Sequence, residues 1–135
     1  MAECIFCRIA AGKLPAEIVY DSAGALAFLD RTPATRGHTL IVPRVHAPTL
    51  LDLPDEAVGD LFRAVKVVVR KVETALAPAG FHVGWNHGAA AGQHVFHLHV
   101  HVLPRHAPGG RGIQVMGTGA DPADVAAVAA AIRSA

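Results

Sequence analysis

Apolar and polar positions alternate most strictly between residues 95 and 103, Val-Phe-His-Leu-His-Val-His-Val-Leu. Successive side chains leave a strand on opposite faces, so a period of two predicts a strand here. One face carries His97, His99 and His101, with Cβ atoms roughly 6.5–7 Å apart from one to the next. The other carries Phe96, Leu98, Val100 and Val102, an apolar row that requires a core. Further strands are predicted over 17–20, 25–29, 39–42 and 81–85. Asp21-Ser22-Ala23-Gly24 joins the first two as a hairpin, and Pro43 ends the third. The period lengthens to that of a helix over 55–77, where Val58, Leu61, Phe62, Val65, Val68 or Val69, Val72 and Leu76 recur on one face. Asp55 and Glu56 suit the positive end of its dipole, and Pro78 and Gly80 close it.

Shorter helices are predicted at the two ends. Residues 4–11 form one, ended by Gly12 and Pro15. Asp121-Pro122 starts the other as N-cap and first helical residue, and it runs through 121–135. Residues 107–120 are rich in Gly and Pro and are expected to be mobile. Several strands, one dominant helix and no strand–helix–strand alternation predict an antiparallel α+β domain. At 135 residues the chain suffices for one domain with a real core, spanning 1–135, and not for two.

Composition narrows the function. With 52% apolar and 17% charged residues, the chain is globular. Its formal net charge of +1, without a basic block, argues against a nucleic-acid or anionic-membrane surface. No apolar stretch reaches a membrane-spanning ~20 residues. The first ten residues contain Glu3 and lack a basic start before a long apolar run, so no signal peptide is read and a cytoplasmic location is expected. The cysteines are Cys4 and Cys7, too few for a disulfide scaffold. A C-x-x-C pair is a redox couple, half of a metal site, or two inert thiols.

Three aligned imidazoles allow three readings. They can be solvent-facing side chains on an edge strand, or a metal grip with water in the open position. They can also hold a nucleophile, since a neutral imidazole attacks phosphorus and forms a covalent intermediate. The preceding loop, Asn86-His-Gly-Ala-Ala-Ala-Gly-Gln93, favours the last. Gly88, Gly92 and the small residues between them let backbone N–H groups curl toward an anion, and Gln93 and His94 add side-chain donors.

His97-Leu98-His99-Val100-His101-Val102-Leu103 resembles the motif of the histidine-triad (HIT) family. The resemblance extends to Cys-Ile-Phe-Cys-Arg-Ile near the start, Ala27-Phe28-Leu29-Asp30, Gly37-His38-Thr39-Leu40-Ile41-Val42-Pro43 and Ala91-Gly92-Gln93. The layout is most similar to the bacterial members of the branch that includes purine-nucleoside phosphoramidases. The resemblance implies a five-stranded sheet, joined to that of a second copy as ten strands, with helix 55–77 at the interface of the homodimer. It implies that His99 attacks the α-phosphorus of a nucleoside phosphoramidate or related nucleotidyl substrate, and that water releases a nucleoside monophosphate. His101 would orient the phosphoryl group, and Asn86 and Gln93 would lie around the phosphate. Asp30 would hold the ribose hydroxyls, while Phe6, Ile9 and Phe28 wall the base. His94 stands where relatives often carry a small hydroxyl residue.

The resemblance also implies a structural zinc held by Cys4, Cys7, His46 and His97, with no organic cofactor. The first triad histidine then has a place in both sites. His38, His82, His87 and His106 are read as structural or exposed. Two rival functions remain: dinucleoside-polyphosphate hydrolysis or nucleotidyl transfer within the same superfamily, and non-enzymatic purine-nucleotide binding.

Overall fold

The computed structural model describes residues 4–106 and 121–135; the segment expected to be mobile, 107–120, lies outside them. Five strands form one antiparallel sheet: β1 (Ile18–Asp21), β2 (Ala25–Leu29), β3 (Thr39–Pro43), β4 (Gly80–Gly84) and β5 (Val100–Arg105). Their order across the sheet is β1-β2-β3-β5-β4. Helix α1 (Ile5–Ala10) precedes the sheet, α2 (Asp55–Leu76) joins β3 to β4, and α3 (Val125–Arg133) comes last. No described helix is long and apolar enough to cross a membrane.

The sheet buries both faces. On one, Ala25, Ala27, Leu29, Ile41, Val100 and Val102 meet Leu61, Ala64, Val65, Val68 and Val72 of α2, and Val128, Ala129 and Ile132 of α3. The predicted helical stripe is thus the buried face of α2, with Val58, Phe62, Val69 and Leu76 at its margins. On the other, Leu26, Phe28, Leu40 and Val42 are covered by Phe6 of α1. Burying side chains on both faces explains why every residue of β2 and β3 is buried. Arg133 Nη1 donates to the Ile18 carbonyl at 2.8 Å, and Lys71 Nζ to that of Ala135 at 2.8 Å, fastening α3 to β1 and α2.

The histidine strand departs from expectation. Its ladder begins at Val100, where Ile41 pairs with Val100, Leu40 with His101 and Thr39 with Val102. His97 and His99 precede it. Extended by two positions, that register would set Val42 opposite His99 and Pro43, which has no N–H to donate, opposite Leu98. The Pro43 carbonyl is taken by His97 Nε2–H at 2.8 Å. The extended course continues through one bond, from Leu98 N–H to the Ala47 carbonyl at 2.7 Å. Alternation survives in Leu98, Val100 and Val102, which are core, but Phe96 lies beyond it and is 47% exposed. The C-terminal helix is also shorter than 121–135. Asp121 caps a 3₁₀ turn over Pro122–Asp124, and the α-helix starts at Val125.

Gly37 ties this end of the fold together. Its φ is +91°, and a Cβ there would meet Leu76 Cδ1 at 2.6 Å and Pro104 Cγ at 3.2 Å. Gly37→Ala should therefore lower stability by roughly 1–3 kcal/mol through backbone strain and overlap together. Thermal denaturation measures it, and an unchanged Tm contradicts the packing described.

Candidate active site and metal cluster

The bonds around each imidazole assign its tautomer. His99 Nδ1–H donates to the His97 carbonyl at 2.8 Å, which leaves the lone pair on Nε2. The Ala34 N–H donates to His38 Nδ1 at 3.1 Å, so the His38 proton sits on Nε2. From there it is donated to His101 Nδ1 at 2.9 Å, and the His101 proton is consequently on Nε2. The rings of His99 and His101 stand 4.9 Å apart. An acceptor nitrogen on His99 and a donor N–H on His101 thus belong to neighbouring rings.

Burial keeps these rings neutral. It lowers His99 from its ordinary value, against the bond to the His97 carbonyl and the Asp30 charge. Burial also takes His38 down to about 4, opposed by the Asp30 carboxylate and aided by Arg105 and His99. His101 falls to about 3, through burial first and then its neighbours His99 and His38. The Phe6 ring meets His99 edge-on at 5.1 Å and Phe28 at 5.4 Å, so an aromatic wall adjoins the nitrogen pair. Ile9 packs against the same cluster.

A second cluster adjoins the first. His97 Nδ1 lies 3.4 Å from Cys4 Sγ, 3.5 Å from Cys7 Sγ and 3.2 Å from His46 Nδ1. Cys7 Sγ is 3.3 Å from His46 Nδ1, and all four ligand atoms lie within 4.8 Å of one another. Tetrahedral Zn²⁺ with its usual bond lengths requires ligand separations of roughly 3.3 Å between nitrogens and 3.5 Å between nitrogen and sulfur. Because His97 Nε2–H is held by the Pro43 carbonyl, its Nδ1 lone pair is the one facing the thiols, the backing that metal-bound histidines usually have. The residues present fit a zinc ion.

The HIT domain pattern matches residues 11–108. The chain belongs to the HIT family. It is 41% identical over 106 residues to Protein hit of Bacillus subtilis, covering 78% of this chain and 73% of that one. It is 39% identical over 102 residues to the adenosine 5'-monophosphoramidase hnt1 of Schizosaccharomyces pombe, covering 76% and 74%. A Zn-bound histidine triad family protein from Mycobacterium smegmatis superposes with a TM-score of 0.85 at 34% identity, over 98% and 92% of the two chains.

Within this HIT domain the remaining expected site residues take definite places. Asp30 follows β2; its Oδ1 accepts from the Thr32 N–H at 2.9 Å, and Oδ2 is 3.8 Å from His38 Nδ1. Asn86 spans the loop, with Nδ2 3.4 Å from the Gly92 carbonyl. Gln93 is buried. Its Oε1 accepts from the Gly88 N–H at 2.8 Å, and its Nε2 donates to the carbonyls of Pro48 and Val95 at 2.7 and 3.0 Å. In this state Gln93 therefore shapes the loop, which turns through Gly88 and Gly92 at positive φ. His94 is exposed.

His38, read as structural or exposed, is structural: it is fully buried and bonded to His101. The signal for that contact was its place one residue before β3, which pairs with β5. A cavity of about 250 Å³ reaches Asp30 and His38 from beside α3 but touches none of the triad, so it is set apart from the His99 face.

Neutral burial of His38 and His101 carries a stability consequence. Unfolded, each binds a proton near pH ~6.5; folded, they stay neutral down to about 4 and 3. Between those values the unfolded state holds more protons, so stability falls as pH drops from 6.5 toward 4. Each histidine contributes a slope of about 1.4 kcal/mol per pH unit. Denaturation from about pH 7 to 4.5 should show this decline, and His38→Gln should flatten it by one histidine's share. An identical slope in the variant contradicts neutral burial of His38.

Proposed function

We propose that this HIT protein hydrolyses nucleoside phosphoramidates or related nucleotidyl substrates through a nucleotidyl-His99 intermediate. The observation that carries the reading is the tautomer of His99, whose Nδ1–H is fixed on the His97 carbonyl. Its Nε2 lone pair is neutral and open to attack phosphorus. In the first step an Nε2–P bond forms, the bond to the leaving amine breaks, and the amine departs with a proton. His101 Nε2–H donates to a phosphoryl oxygen, where negative charge develops. Water then attacks phosphorus, the Nε2–P bond breaks, and a nucleoside monophosphate leaves.

Asp30 accepts from the ribose hydroxyls with its second oxygen. Phe6, Ile9 and Phe28 wall the purine, and Asn86, Gln93 and His94 bound the phosphate loop. The name of the S. pombe relative supports the phosphoramidate reading over dinucleoside-polyphosphate hydrolysis or nucleotidyl transfer. Two copies would associate through the outer edge of β4 and the margin of α2. There Phe62 and Trp85 meet edge-on at 5.7 Å and Val83 is 41% exposed.

Cys4, Cys7, His46 and His97 would hold zinc in a closed structural site. Bound zinc would supply a cross-link between α1 and the chain entering β5, stabilising a helix of six residues that is marginal alone.

His99→Ala should abolish turnover of an adenosine phosphoramidate while leaving nucleotide binding largely intact. Retention of more than about a tenth of wild-type kcat, a ~1.4 kcal/mol effect, overturns the nucleophile assignment. Turnover of a dinucleoside polyphosphate in preference to the phosphoramidate selects the rival reaction. For the metal, elemental analysis of protein purified without chelator or added metal should find close to one zinc per chain. Cys4→Ala combined with Cys7→Ala should lose it and lower Tm; zinc retained by that variant refutes the ligand set.

A further inference from the structure

Two physical routes join the thiol cluster to the nucleophile. His97 contributes its ring to the cluster, while its carbonyl accepts the Nδ1–H of His99. Phe6 stands between the two cysteines in sequence, and its ring packs edge-on against His99 at 5.1 Å and His97 at 6.0 Å. Whatever moves Cys4 and Cys7 therefore moves a contact on each side of the His99 ring. Neither cysteine is buried, so both are open to small oxidants.

We propose that Cys4 and Cys7 are a reversible oxidation site, at which hydrogen peroxide forms a Cys4–Cys7 disulfide and loosens the hold on His99. One thiolate attacks the peroxide: an S–O bond forms, the O–O bond breaks, and water leaves once protonated. The second thiolate attacks the resulting sulfenic acid: an S–S bond forms, the S–O bond breaks, and a second water leaves. Two thiols lose two electrons to one peroxide.

The geometry permits the bond and makes it exclusive of metal. Residues three apart at the start of a helix have Cα atoms roughly 5 Å apart, inside the disulfide range, and the two sulfurs lie within 4.8 Å. A tetrahedral metal holds two thiolate sulfurs about 3.7 Å apart, whereas a disulfide draws them to about 2.05 Å. The pair cannot satisfy both. On oxidation His46 and His97 lose their shared partner, the bond from the Cys7 N–H to Cys4 Sγ is reshaped, and Phe6 is carried along.

The proposal rests on the hydrolase reading for its activity readout alone. Purified, zinc-loaded protein is titrated with hydrogen peroxide. Free thiols are followed by alkylation and mass, released metal by a chromogenic chelator, AMP affinity by calorimetry, and kcat/KM on an adenosine phosphoramidate. Both thiols should disappear together as an intramolecular disulfide, metal should leave in proportion, and kcat/KM should fall by roughly 10- to 100-fold. Dithiothreitol with zinc should restore it. Cys4→Ser, measured against its own untreated activity, should lack the reversible fall; recovery of the wild-type chain gives the same information if that variant folds poorly. An equal reversible fall in Cys4→Ser, or disulfide formation with metal loss but unchanged kcat/KM and AMP affinity, overturns the proposal. A chain that loses AMP affinity on oxidation yet never cleaves the phosphoramidate refutes the hydrolase reading and leaves the switch standing.

Discussion

His97 is the residue on which both sites depend. Its Nε2–H is anchored on the Pro43 carbonyl, its Nδ1 faces two thiols and His46, and its own carbonyl holds His99. Each bond forces the next. Because the Pro43 carbonyl fixes the ring's tautomer, the lone pair must face the cluster. Because the ladder stops before His97, its carbonyl is released to a side chain. A strand paired through to residue 95 would place that carbonyl among backbone partners and leave the His99 tautomer undetermined.

The sheet makes this arrangement rigid. β3 and β5 lie side by side in it; α2 and α3 bury one face, and on the other Phe6 of α1 packs with Phe28 of β2 and with Leu40 and Val42 of β3. The second imidazole pair, His38 and His101, is built across these two strands and held neutral by burial. A protonated pair there would place two like charges side by side in a poorly solvated interior. The cost of that neutrality appears as a loss of stability in acid, and its benefit is an N–H on His101 of defined position beside His99.

The aromatic wall connects fold to site in a different way. Phe6 belongs to a helix too short to persist unaided, yet its ring is buried against Phe28 and both His97 and His99. The position of α1 is therefore set by what its cysteines and its phenylalanine touch, and not by helix propensity.

Much of the molecule is written in local periodicity. The stripe on α2, the hairpin at 21–24, the apolar strands and the shared side of His97, His99 and His101 follow from spacings of two and 3.6, because the backbone directs side chains by position alone. The Cys-x-x-Cys pair and the triad were recognisable for the same reason. Contacts between residues distant in sequence were not. His38 reaches His101 only because β3 and β5 become neighbours across 63 residues, and its sequence gives no periodic signal of that. The Pro43 carbonyl reaches the His97 ring only once β3 and β5 are neighbours. Gln93, expected around the phosphate, has its amide engaged by Gly88, Pro48 and Val95 once the loop closes. Phe96 keeps the alternation yet stays exposed, since the core ends at Leu98. Sequence determined which side chains share a face; tertiary structure decided which faces meet, because pairing register and loop closure depend on the whole chain at once.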